Sequence, residues 1–245
     1  MKIEYANEYA AIINAHFNTL FLGKNLEKSP DLIAELEQLL HHNKLQNAAL
    51  TKINIQKYIY NISLLHAIDS GRYTEAIEEI IPNIERFLKV KRKFLAERWL
   101  LDMNLSMLKA YFLEALRFLG NTSQSTPLFK KAESKIPEIR MMTNSGRLDL
   151  QLETLLLQII ITLEIQESKQ EVEPLIRDAK WHLKEVKGQN TDTVEGQLLR
   201  LLFSYDKTIN RQKRKELLNE VLEQCQHTDK YIEIYHWGKK KISVL

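Results

Sequence analysis

The side chains best suited to chemistry gather near the end of the chain, at Cys225, His227, Glu233 and His236, with a separate pair at His41 and His42. Glu233-x-x-His236 puts a carboxylate and an imidazole one helical turn apart, which is half of a di-iron ligand set. That chemistry needs a second such motif and two further inward glutamates, and the sequence has no second Glu-x-x-His. Cys225 and His227 lack a third and fourth ligand at zinc spacing. No metal and no cofactor is expected. The sequence also has no glycine-rich phosphate loop, no GxSxG and no HExxH. Cys225 falls on the apolar side of a helix, where a thiol is normally buried and inert. The expectation is a chain that is not an enzyme.

What remains are side chains that could grip another molecule. Asn54, Lys57, Tyr58 and Asn61 recur at helical spacing, as do Arg98, Asp102 and Lys109, and Gln151, Thr154, Gln158 and Thr162. If these lines point into a groove, Asn54, Tyr58, Asn61, Arg98, Lys109, Gln151 and Gln158 could hydrogen-bond an extended peptide. The competing reading makes them the solvated sides of amphipathic helices. A basic cluster, Lys207, Arg211, Lys213, Arg214 and Lys215, with Lys239, Lys240 and Lys241, could meet phosphates or an acidic partner. No aromatic residue interleaves with positions 207–215 as a base-stacking platform requires, so nucleic acid is the weaker expectation. Trp99, Trp181 and Trp237 read as packing residues, with Trp237 the one to test as an exposed anchor.

The elements that carry these residues are helices in repeat. An apolar triplet at n, n+1 and n+4, which shares one helix face, occurs as Leu32/Ile33/Leu36, Ile80/Ile81/Ile84, Leu128/Phe129/Ala132, Leu175/Ile176/Ala179 and Leu217/Leu218/Val221. The first members step by 48, 48, 47 and 42 residues. Gly23, Gly71 and Gly120 stand eight or nine residues ahead of the first three triplets, where a left-handed residue would end the preceding helix. Ser168 and Asn210 take the nearest equivalent places later. A fixed period of this length means stacked supersecondary units.

Taken in order, the pattern predicts helix pairs at about 1–48, 49–91, 92–142, 143–189 and 190–228, then a capping piece at 229–245. Ser29 should cap the second helix with Pro30 at its first position. Thr74 should cap the fourth, and Pro82 should bend it at a cost of about 3 kcal/mol. Thr126 and Pro127 should open a short helix that Pro137 ends. Ser168 and Glu171 match a capping box, with the well-formed helix beginning only at Pro174. The last piece, with Tyr231, Ile234, Tyr235 and Ile242 near one face, is expected to close the stack.

Gly120 at a turn, Phe129 and Ala132 on the following helix, and Pro137 after it resemble a tetratricopeptide repeat; so does the GxYxxA pattern at Gly71, Tyr73 and Ala76. The likeness covers two units closely and three in outline. The period near 48 exceeds the family's value of about 34, and the family's early Trp/Leu/Gly signature is absent. The resemblance implies an all-α, right-handed superhelical stack with the first helix of each hairpin lining an inner surface.

Bulk properties agree. The 245 residues are 44% apolar with a net charge of +3, all of it carried after Leu201. Seven glycines and five prolines leave no candidate linker. The longest apolar run, Leu155 to Leu163, is far short of a membrane span, and the N-terminus does not read as a secretory signal. One cysteine excludes an internal disulfide and fits a reducing, cytoplasmic setting. The expected partner is a protein or peptide held by a scaffold of helices, with basic-end binding of an acidic partner as the alternative.

Overall fold

In the computed structural model the described residues are 5–42, 45, 48–143, 147–166, 169–187, 193–205, 210–226 and 231–245, and every element they form is helical. The chain divides into two compact units, Met1–Ser106 and Met107–Leu245.

In the first unit α1 (Ala6–Leu22), α2 (Ser29–Leu40) and α3 (Ala49–Asp69) pack mutually. Ala6, Ala10, Ile13 and Phe17 recur at steps of three and four, so one stripe of α1 meets Leu32, Leu36 and Leu39 of α2 and Ile55, Ile59 and Ile62 of α3. Burying a side chain such as Phe17 contributes about 1.5–3 kcal/mol. The Tyr9 hydroxyl on α1 donates to Glu35 on α2. Then come α4 (Tyr73–Glu75), a π turn at Ala76–Ile80, α5 (Ile81–Lys91) and a 3-10 turn at Arg92–Phe94. The next helix, α6 (Glu97–Arg117), contains the division between the units.

In the second unit α7 (Thr122–Glu133) and α8 (Ile136–Thr143) pack on α9 (Leu148–Ile165), which also meets α10 (Lys169–Lys187) and α11 (Val194–Ser204). From there each helix packs on the next, through α12 (Arg211–Cys225) to α13 (Ile232–Val244). Helix α9 is buried on all sides, from Leu152 to Ile161. It therefore has no polar face to separate from an apolar one.

Most triplet residues are core residues, with Ile33, Ile80, Leu128 and Leu175 half-buried. Leu36, Ile81, Ile84, Phe129, Ala132, Ile176, Ala179, Leu217, Leu218 and Val221 are all buried. Two details repeat at one interval: Pro127 and Pro174 each stand sixth in their helices, α7 and α10, 47 residues apart.

Several local expectations are corrected. Gly71 and Gly120 are left-handed, with φ of 70° and 100°, but Gly23 keeps a φ of −82° and Lys24 takes the left-handed place at 52°. The Gly23 amide still bonds Thr19 as part of the helix, so the reversal falls one residue later. Ser29 is the first residue of α2 rather than its cap, and its buried Oγ has no hydrogen-bond partner among the described residues. Thr74 lies inside the helix that Tyr73 begins.

Pro82 is absorbed by the π turn before it. There the Ile81 amide reaches back five residues to Ala76, and the Asn83 side-chain amide donates to the Glu79 carbonyl at 2.8 Å. Helix α7 opens at Thr122, ahead of Thr126 and Pro127, and α10 is already helical five residues before Pro174. A proline this near a helix start forfeits one bond to a first-turn carbonyl, a smaller disruption than at mid-helix. Pro137 stands second in α8 instead of terminating α7. Ser168 lies outside the described residues.

Candidate binding surface

The polar positions of the first helices are spent largely within the chain. On α3, the Asn54 amide donates to Asn7 Oδ1 at 3.4 Å and the Asn61 amide to Asn14 Oδ1 at 3.3 Å. Both pairs join residues 47 apart, and the two rungs are two turns from each other on α1 and α3. This amide ladder ties α1 to α3. Tyr58 is half-buried against the core and carries the Lys57 ammonium 4.5 Å from its ring centroid. Arg98 is exposed on α6.

In the second unit the remaining groove candidates face inward. Gln151 is buried, and Gln158 is half-buried with an Oε1 that has no partner among the described residues. Between them Thr154 is fully buried and returns its hydroxyl to the Leu150 carbonyl at 2.7 Å. Lys109 sits among carboxylates, its Nζ 2.8 Å from Glu153 Oε1 and 3.2 Å from Glu233 Oε1. Burial works against its charge, but Glu233 and Glu153 outweigh it and hold the ammonium above the ordinary lysine range. Burial pushes the Glu233 carboxyl above its ordinary value, against the opposing pull of Lys109.

Three further ties fix the last helix. Trp237 Nε1 donates to Glu164 Oε1 at 2.9 Å, and Lys241 Nζ lies 2.6 Å from Glu164 Oε2. The Tyr231 hydroxyl donates to Glu195 at 2.6 Å. Trp237 is completely buried, as its reading as a packing residue expects, so it is no exposed anchor; Trp181, read as packing too, is corrected, being 57% exposed. A Cβ on Gly238 would stand 3.1 Å from Leu222 Cδ2, so α12 and α13 approach closely there. Sequence reasoning passed over Glu153, Glu164, Glu195 and Glu233 as pairing residues. Their signal was an isolated acid in apolar surroundings, as in Ile160-Ile161-Thr162-Leu163-Glu164-Ile165. Cys225 is buried as expected, and burial pushes its thiol up to about 12.

The residues of the basic end differ in exposure among the described residues. Lys207 lies outside them. Arg211 and Lys213 are exposed, with Lys213 paired to Glu216 at 3.3 Å, while Arg214 and Lys215 are half-buried. Arg214 lies beside Tyr205, whose hydroxyl burial and Glu164 push up to about 12.

An outward groove lies elsewhere, along α10 and the end of α11. A groove of about 510 Å³ is lined by Gln170, Glu173, Pro174, Ile176, Arg177, Lys180 and Phe203. Its floor is the buried Ile176, and Phe203 is 36% exposed at its wall with the Lys180 ammonium 5.4 Å from the ring centroid. Trp181, 57% exposed, continues the stripe of α10 one turn beyond Arg177. The clue in the sequence was a tryptophan on the charged side of a strongly amphipathic helix. Among the described residues no group of three or more His, Cys, Asp or Glu side chains could hold a metal ion, and no helix is long and apolar enough to cross a membrane. No protein-family model matches the chain, and neither a curated protein nor a solved structure does.

Proposed function

We propose that this chain is a non-enzymatic binding module, built of stacked helical hairpins, that recognises another protein or a peptide. The observation that carries the reading is the division of labour among its side chains. The reactive and charged groups with shifted protonation, Lys109, Glu233, Tyr231 and Cys225, are buried or paired inside, whereas large apolar groups such as Trp181 and Phe203 are turned outward around a groove. Exposed apolar surface rimmed by polar residues is what a recognition surface needs. Helices already ordered before binding lose little freedom on contact, which favours affinity.

Support has moved away from the first helices. Asn54 and Asn61 already bond α1, Lys109 already holds two carboxylates, and Gln151 is buried. The outer face of α10 and α11 is the better candidate for contact. Panning a displayed library of random short peptides against the immobilised chain tests the reading. Enrichment of related sequences over a heat-unfolded control is the expected result, and no enrichment would count against any peptide-binding role.

A further inference from the structure

We infer that the α10/α11 groove binds an acidic peptide segment that carries a large apolar anchor. The inference rests on the binding-module reading and names the partner for one surface of it. Three features of the groove converge on that chemistry.

The first is its volume and floor. About 510 Å³ of space lies open over Ile176, Pro174 and Phe203, and a leucine or aromatic side chain supplies the apolar surface to cover them. The second is charge. Arg177 and Lys180 rim the groove, and neither has a carboxylate partner among the described residues; Lys184, exposed one turn past Lys180, extends the cationic stripe. Unneutralised cations beside an apolar floor select a partner with carboxylates flanking its anchor, through both steering and charge-assisted hydrogen bonds. The third is pre-organisation. The Lys180 ammonium is poised over the Phe203 ring, which holds the cation at the wall of the groove and limits the ordering cost of using it.

Glu173 also lines the groove, and it decides against a nucleic-acid strand. Its carboxylate would repel a continuous line of phosphates, whereas a peptide can present charge at two positions and none at a third. Trp181 gives the partner a second aromatic contact along the same stripe.

The test is the same random-peptide selection run in parallel on the full chain and on the charge-reversed variant Arg177→Glu/Lys180→Glu. Both substituted side chains are exposed, and circular dichroism checks that the variant folds. Sequences enriched on the unaltered chain should carry Asp or Glu around a Leu, Phe or Trp. A synthetic copy of the best of them should bind the variant about tenfold or more weakly. Phe203→Ala should weaken it comparably, and the variant should select basic sequences in place of acidic ones.

Enriched peptides without acidic bias, or equal binding to both proteins, would overturn the groove assignment while leaving the module reading intact. Failure to enrich anything on the unaltered chain would overturn the inference and count against a peptide-binding role for the module. Tighter binding of an oligothymidylate than of any enriched peptide, with steep loss in salt, would overturn the inference in favour of nucleic acid. Self-association in sedimentation abolished by Phe203→Ala would overturn it in favour of a second copy of the chain.

Discussion

The α1/α3 contact in the first unit and the environment of α13 in the second solve one problem, how to hold neighbouring helices in register, by opposite means. Between α1 and α3 the polar work is done by neutral amides at 3.3 and 3.4 Å, half in water, over an aliphatic core. Around α13 it is done by ions and charge-assisted bonds of 2.6 to 3.2 Å at buried positions: Lys109 with Glu153 and Glu233, Glu164 with Trp237 and Lys241, and Tyr231 with Glu195. A neutral, partly hydrated bond exchanges with water at small net gain, so losing one costs little. A buried ion cannot make that exchange. It is tolerated only while every partner stays in place. The first contact is therefore tolerant and the second exacting, and α13 has one seating in which its buried charges, Glu233 and Lys241, are both met.

The largest effect should come from Lys109→Met, which leaves Glu153 and Glu233 buried without a counter-charge. A loss of about 3–5 kcal/mol is expected in urea denaturation. A loss below about 1 kcal/mol would show that the triad contributes nothing beyond its aliphatic packing.

Tyr231→Phe comes next, at about 1–3 kcal/mol, because it strips one donor from the buried Glu195 carboxylate. Glu233→Gln should be milder than either, within about 1 kcal/mol, since the amide keeps the shape and an oxygen for Lys109, which retains Glu153, and removes a charge that burial disfavours.

The same residue gives a pH signature. Its folded pKa lies above the unfolded one, so the folded state holds the extra proton. The stability contribution is complete below 4.5 and is lost as pH rises through the folded pKa. Thermal midpoints should fall across that window in the unaltered chain relative to Glu233→Gln, and parallel curves would contradict the assignment.

A comparably small change should come from Asn54→Ala with Asn61→Ala, about 1 kcal/mol for the pair by urea titration. A much larger cost would erase the contrast between the two contacts.

The helices and their order were legible in the sequence because the apolar triplets are period-bearing core positions, and Ile84, Phe129 and Val221 are all buried. Positions with φ above zero were legible at Gly71 and Gly120, since only backbone freedom is asked of them there. At Gly23 the reasoning fails because a turn can pass its left-handed residue to the next position, Lys24. Helix starts near Ser29, Thr74, Pro127 and Pro174 were misplaced for one reason. Capping residues and prolines mark tolerance near a helix end, not the end itself.

The site was less legible. Polar spacing on α9 placed Gln151 and Gln158 on one line, but a helix surrounded on all sides turns such a line inward. The groove of α10 and α11 required two distant segments, Pro174–Lys180 and Phe203, whose proximity no local pattern carries.

Amide hydrogen exchange, with and without a saturating enriched acidic peptide, bears most directly on the claim that α10 and α11 form the recognition surface. Protection concentrated in residues 170–181 and near Phe203, with α1 and α3 unchanged, is the predicted result. Protection confined to the first helices of the hairpins, or none in α10 and α11, would contradict it.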